Sequence, residues 1–528
     1  MVKYLDNNSG FNMWNANQTA AAKPKSRLAG FLWWVILFLA SWWLISMWTA
    51  PKTVPGPNDA DNAIVMADVS NVPSHTITSD KINVDVRGLR ISKIALNEYP
   101  ATSNADSGPV MLFNSDGDFI EVGVNAIGTT APDVTTVWRD TDGEMVWKNS
   151  DGVIFTRKVN IDGYLVTVTD KIENKTKHDI AFSPWVRMVR RGEKNSAGVA
   201  TGAITNTNSR INYVDWHKLN KKSYAYSTTN GFIGFSDQYW LAVADMKSPD
   251  QTMRAKSIGE NKYMTENVAA PQTVAPNDTG IFTTTIFAGP REQRILDTAS
   301  MTVSGIDEAV DYGWFWFFAR PLLWILNILN SFVMNYGLAI ILLTILLRLL
   351  MWPLTRKSYT SSIAMQRMQP EMQRIQKLYA NDKMRLQMEM MNLYKTHKTS
   401  PMSGCLPMLI QIPIFFALYK ALLVSVNMRN AHFLWISDLA AMDPYFILPI
   451  LMGATMWIQQ YMQSAHNKKQ SDNKNDVAAA TARTMKWLPI IFTVMFAWMP
   501  AGLVLYWTVS NVFGIFQTYV IKRQLEKK

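Results

Sequence analysis

The stretch GLAIILLTILLRLLMWPLT, residues 337 to 355, constrains this chain more than any other. It reads as a helix built for lipid, yet it carries Arg348 with no acidic residue in the run to pair with it. On insertion-derived scales a guanidinium near the middle of a spanning helix costs roughly 3 kcal/mol, and each Leu or Ile returns about 0.3–0.6. The Leu and Ile residues of the stretch offset that cost, so the helix still inserts. Two readings follow for the arginine. It snorkels, because Pro353 lies five residues on and about 7 Å of helix rise separates it from the end of the span. Or it serves a function, the default for an ionisable group inside a membrane.

The rest of the chain bears on that choice. Its 528 residues leave room for a membrane region and an independent soluble domain. The net charge of +11 is concentrated beside apolar runs, which points to membrane orientation rather than to nucleic acid. No zinc pattern, P-loop or dinucleotide fingerprint is present. The single cysteine, Cys405, excludes an intrachain disulfide, so the soluble part must hold by its own core.

Residues 28–49, LAGFLWWVILFLASWWLISMWT, are long enough to span and follow Lys23, Lys25 and Arg27. They read as an uncleaved signal anchor after a cytoplasmic tail of residues 1–27. Residues 50–304 change character. After a Pro/Asn/Asp linker come alternating stretches such as KINVDVRGLRISKIAL and YLVTVTDKIENKTKHDIAF, separated by turn residues. Period-2 alternation at this spacing predicts an all-β sandwich, outside the cytoplasm because one span precedes it. His75, His178 and His217 are scattered without metal-ligand spacing, and no nucleophile motif accompanies them. The NKT at Asn174 matches a glycosylation acceptor, a motif short enough to arise by chance.

Within 305–334 an aromatic belt leads into a helix whose Leu322, Leu323, Ile325, Leu326, Ile328 and Leu329 leave Asn327 and Asn330 on the other side. This is expected to be an amphipathic helix at the outer interface. The Arg348 span follows at 335–354. Residues 355–402 are basic, hence cytoplasmic, and carry two methionine stripes: Met365, Met368 and Met372, then Met384, Met388 and Met391 beyond the turn at Ala380 to Asp382. They suggest a helical hairpin with a methionine-rich seam, kinked near Pro370. Further spans are expected at 403–426, 444–462, 486–499 and 502–521. An outer loop of 427–443, a basic cytoplasmic loop of 463–485 and a basic tail of 522–528 complete the order. Six spans with both termini inside satisfy every loop.

Helical geometry gathers several polar residues near the arginine. Thr344 precedes Arg348 by four residues, Gln411 lies between Pro407 and Pro413, and Thr508, Asn511 and Thr518 run along the last span. No Asp or Glu occurs in these spans. A cation channel or proton relay is expected to place carboxylates there. An arginine among neutral amides and hydroxyls suggests a wet cavity that attracts acidic groups. Lys420, six residues from the outer end of its span, reads as a snorkelling residue.

In that order, TILLRLLMWPLT, GCLPMLIQIPIFFALYKAL, DPYFILPILMG and MPAGLVLYWTVSN resemble the signature segments of the YidC/Oxa-type membrane protein insertases. The resemblance covers the whole chain, and the large β domain looks like that of the Gram-negative bacterial form. It implies a polytopic α-helical inner-membrane protein with six transmembrane helices, a periplasmic all-β super-sandwich domain and a cytoplasmic helical hairpin. It further implies a hydrophilic groove open to cytoplasm and lipid. By resemblance Arg348, Thr344 and Gln411 line that groove; Thr508 and Asn511 join them as groove candidates by their place along the last span. Ile414, Phe415, Trp498, Tyr506 and Trp507 match the region where a client's apolar segment slides. The implied partners are nascent membrane proteins, the Sec translocon, membrane lipids and, weakly because the tail is short, the ribosome. No cofactor, metal or sequence-specific nucleic acid is implied, and no enzymatic step. The competing classes are a transporter, which needs paired charges at mid-membrane, and a sugar-modifying enzyme, which needs convergent acid and base residues in the β domain. A chaperone for membrane-protein folding is compatible as a second activity.

Overall fold

In Ile82–Arg87 every second side chain is buried, Ile82, Val84 and Val86 pointing inward while polar neighbours point out. That alternation is what a sheet with one wet face requires. The chain then turns at Gly88, whose φ of +56° suits glycine, into Arg90–Pro100. The computed structural model describes residues 67–114, 117–192, 199–259, 261–397, 406–464 and 487–526. The anchor expected at 28–49, the tail before it and nearly all of the loop at 463–485 lie outside the described residues.

Among the described residues two antiparallel sheets, of ten and nine strands, face one another. In the first, Ile180–Arg191 runs between Phe119–Ile127 and Lys262–Ala269. Trp185 sits opposite Gly123, where an added Cβ would stand 2.7 Å from the indole, so the glycine makes room for the ring. In the second, Thr279–Pro290 runs between Trp240–Asp245 and Leu165–Glu173. Phe182 of the first sheet meets Phe155 and Phe282 of the second, with ring centroids 6.0 and 6.3 Å apart. Burying each such ring contributes about 1.5–3 kcal/mol. Arg157 crosses the same layer. It forms two 2.7 Å bonds to the Asp170 carboxylate and donates to the carbonyls of Gly88 and Val122. Asn174 is fully buried; its amide donates to the carbonyls of His178 and Val274 and its oxygen accepts from Thr176. Both amide hydrogens are engaged, so the NKT motif is a turn lock and not a glycan acceptor.

Eleven helices are described: α1 (Trp216–Leu219), α2 (Gln293–Ala299), α3 (Trp316–Val333), α4 (Tyr336–Leu350), α5 (Trp352–Arg367), α6 (Gln369–Leu378), α7 (Lys383–Thr396), α8 (Leu406–Val424), α9 (Ile447–Ser464), α10 (Leu488–Phe496) and α11 (Ala501–Glu526). By length and hydropathy α3 and α11 suffice to cross a membrane, as do α4 and α5 taken together across a 59° bend. The bend falls at Met351, beside Pro353, which is tolerated in the first turn of α5.

Three expectations need correction. On α3, Asn330 does not face away from the apolar stripe: its Oδ1 is buried, Asn327 accepts from Tyr336, and the exposed side carries Trp324 and Phe332. The outer face of α3 is itself apolar. On α7, Met384, Met388 and Met391 are 78%, 57% and 51% exposed, so the second stripe is no seam; Leu386, Met390 and Leu393 are the more covered residues. The third concerns Lys420, which does not snorkel. Its ammonium donates to Asp311 at 2.8 Å, tying α8 to the segment that leaves the sandwich. Burial pushes the Asp311 carboxyl up, but the charge and hydrogen bond of Lys420 outweigh it and hold the group below its ordinary value. Two more contacts complete the joint: Gln238 donates to the Leu423 carbonyl at 3.0 Å, and Arg429 to the carbonyls of Pro100 and Ala101.

Candidate functional site

Arg348 stands in the last turn of α4, where the helix dipole favours a cation. At the other end the Asn335 side chain accepts from the Leu338 amide at 3.1 Å, capping the helix. From that start Ala339, Ile340, Leu343 and Thr344 fall on the buried face, and Arg348 follows one turn after Thr344. Its Nε donates to the Ser510 hydroxyl at 2.8 Å and one of its terminal nitrogens donates to the same oxygen. Gln517 donates to the Arg348 carbonyl at 3.2 Å, satisfying one of the last-turn acceptors of α4. Among the described residues no carboxylate pairs with this guanidinium.

A second polar contact lies beside it. Gln411 of α8 donates to the Tyr506 hydroxyl, and Tyr506 and Ser510 share a face of α11 at i and i+4. Three helices are thus linked by side chains, with Gln411 and Arg348 both held from α11. Tyr506 and Ser510 are 2% and 3% exposed. Burying these polar groups is tolerated because they bond one another, although Gln517 Oε1 is buried without a partner.

Other expected residues sit elsewhere. The Thr344 hydroxyl donates to the Ile340 carbonyl at 2.6 Å and that of Thr508 to Val504 at 2.8 Å, so both are spent on their own helices. Asn511 reaches the Met452 carbonyl and the Thr455 hydroxyl of α9, each at 3.3 Å. It lies one residue past Ser510, hence about 100° round the helix, and locks α9 to α11 instead of joining Arg348. Of the apolar set, Ile414 and Tyr506 are buried. Phe415 and Trp507 meet edge to face at 5.1 Å, packed with Phe492 and Phe496, while Trp498 is 69% exposed. Ser510 and Gln517 are the residues sequence reasoning missed. Their signal was the polar spacing from Tyr506 along one face of α11.

Among the described residues no three metal-ligating side chains converge. The site offers one cation and neutral hydrogen-bonding groups, a set suited to attracting an anionic or polar segment rather than to making and breaking bonds.

Known proteins fix the family. Residues 75–325 match the family model described as YidC periplasmic domain, and 328–528 that described as 60Kd inner membrane protein. A Magnetococcus marinus protein named membrane protein insertase YidC is 37% identical over 79% of this chain and 76% of its own. The chain belongs to the YidC family of membrane protein insertases. An Aeromonas hydrophila relative of the same name is 34% identical, with 86% of each chain covered. A crystal structure described as an active YidC insertase with its first transmembrane domain resolved covers 85% of this chain and 94% of its own, at 18% identity and a TM-score of 0.38. The β sandwich corresponds to the YidC periplasmic domain and the helical part to the family's inner-membrane region.

Proposed function

We propose that this chain inserts client proteins into the bacterial inner membrane by drawing a polar client tail toward Arg348, while the client's apolar segment leaves sideways into lipid. The observation that carries the reading is that, among the described residues, the guanidinium's side-chain partner is the Ser510 hydroxyl and no carboxylate neutralises it. An acidic or polar tail supplies the partner that the fold withholds. Ile414, Phe415, Tyr506, Trp507 and the exposed Trp498 offer the client's apolar segment its path; Gln411 adds a polar group beside Arg348, while Thr344, Thr508 and Asn511 serve helix packing.

In this reading six spans place both termini in the cytoplasm, the sandwich in the periplasm, and α6 with α7 in a cytoplasmic hairpin beside the ribosome. Clients arrive as nascent membrane proteins, directly or from the Sec translocon, and lipid surrounds the open side. No covalent step is required. Apolar burial drives insertion, and moving one negative charge to the positive outer face gains about 2.3 kcal/mol per 100 mV. The arginine lowers the barrier for the polar tail.

Site-specific photo-crosslinking tests this. A probe at Gln411, with a control probe on the sandwich, is challenged with ribosome-bound single-span nascent chains of increasing length. A length-dependent crosslink at Gln411 that weakens in Arg348→Ala is expected. A folded protein with no crosslink would leave Arg348 a structural link between α4 and α11 and overturn the reading.

A further inference from the structure

The sandwich contains a second polar centre, built on strands rather than helices. Between Phe119–Ile127, Ile180–Arg191 and the loop at 131–134 lies an open-sided cavity of about 410 Å³. Glu121 lines it and is only 3% exposed. Its Oε1 is taken twice by Arg90, at 3.0 and 2.7 Å. Among the described residues its Oε2 accepts no hydrogen bond, and Arg187 Nη1 stands 3.7 Å from it, beyond bonding range. Arg187 spends its Nε and other terminal nitrogen on Glu266, which leaves Nη1 facing Glu121. An acceptor and a donor therefore line the same cavity a little too far apart to bond each other directly.

The chemistry of the pair selects what fits between them. A hydroxyl donates to Oε2 and accepts from Nη1 at once. A carboxylate or phosphate would meet Glu121 and Asp133, and an ammonium would meet Arg90 and Arg187. The same lining carries apolar surface from Val124, Ala126, Pro132 and Val134. A lining that pairs hydroxyl-binding groups with apolar surface suits a sugar ring, which carries both hydroxyls and C–H faces, and the volume is within the range of small-molecule sites, about 300–1,000 Å³. We propose that this cavity binds a neutral saccharide, one of whose hydroxyls bridges Glu121 and Arg187. This site is separate from the insertion reading and does not depend on it.

The test uses the full chain in lipid nanodiscs and saturation-transfer NMR with D-glucose and N-acetyl-D-glucosamine, each free and as its octyl glycoside, and with glucuronate as an anionic control. Two variants accompany it: Ala126→Trp, which fills the cavity and keeps every charge, and Glu121→Gln, which keeps the shape and removes the carboxylate. Transfer to the ring protons of a neutral sugar is expected, with affinity at least tenfold weaker in both variants and no transfer to glucuronate. Binding of the free sugar assigns a soluble ligand; binding of the glycoside alone, counted as the part lost in Ala126→Trp, assigns a lipid-linked one. No transfer to any neutral sugar, or transfer unchanged in Ala126→Trp, overturns the proposal even where Glu121→Gln fails to fold. Transfer to an uncharged serine-threonine tetrapeptide in place of the sugars also overturns it, in favour of a peptide groove.

Discussion

Arg157 in the sandwich and Arg348 in the helical part keep opposite company. Arg157 is 2% exposed and meets a carboxylate and two carbonyls, so its charge and its donors are both answered. Arg291, also buried in the sandwich, has no carboxylate bond among the described residues, but carbonyls of Ala309, Ala200 and Asp237 and the Tyr213 hydroxyl occupy its donors. Arg348 has one serine oxygen for two of its donors. The sandwich uses arginine as a rivet, and the helical part holds one in reserve.

The largest effect expected from this difference is on folding. Arg157→Ala leaves Asp170 buried without its cation, and breaking such a pair costs about 3–5 kcal/mol. Denaturant melts of the purified protein followed by tryptophan fluorescence will show an early transition of the sandwich. Arg348→Ala strands no carboxylate, so its melt is expected to follow wild type closely. If the two variants melt alike, the contrast between rivet and reserve is wrong.

The next effect is on function. In Arg348→Ala, insertion of a client with an acidic translocated tail should drop about tenfold or more, the equivalent of roughly 1.4 kcal/mol or above in the barrier. A client with a neutral tail should insert near the wild-type rate. Protease protection of the tail in cells reads both. Arg348→Lys should restore most of the loss if charge is the active property; an equal loss with lysine would assign the work to the planar, two-pronged contact with Ser510 instead.

Between the two regions lies the Lys420–Asp311 pair, whose side chains are 21% and 29% exposed. Lys420→Met should cost about 1 kcal/mol, near the top of the range for partly exposed pairs. The pH dependence gives a sharper test. Asp311 is held below its unfolded value of 3.8, so its contribution is complete above that pH and is lost as pH falls through the lower folded value. Wild type should lose this increment below about pH 4, and Lys420→Met should lack it, since the cation that depresses the carboxyl is gone. Coincident acid limbs in the two melts would show that the pair does not hold the joint.

How far such pairs are legible in advance depends on the range of the interaction. The alternation in Ile82–Arg87 and the polar face of α11 are local, and the sequence displays them. That Ser510 rather than Asn511 meets Arg348 depends on how α11 is rotated between α4 and α9, which neighbouring positions on one helix do not reveal. Lys420 offered no sign of Asp311, more than 100 residues earlier, and a cation near a span end has a ready alternative in snorkelling. Gly123 beneath Trp185 depends likewise on sheet register, which is set by partners distant in sequence.

The methionines of α7 give the smallest expected effect and separate two accounts of the hairpin. Spacing alone suggested that Met384, Met388 and Met391 close a seam, where changing a packed methionine to a polar residue typically costs 2 kcal/mol or more. The fold instead leaves Met388 57% exposed, while Leu386 and Leu393 are more covered. Met388→Gln should therefore shift stability by no more than about 0.5 kcal/mol, as for other surface positions, while Leu386→Gln should shift it more. Urea titrations of both variants against wild type decide between them. A large cost at Met388 would mean that another surface covers the stripe and that its exposure belongs to the isolated chain; a small one leaves three soft, adaptable side chains on the face of α7 that turns away from the hairpin.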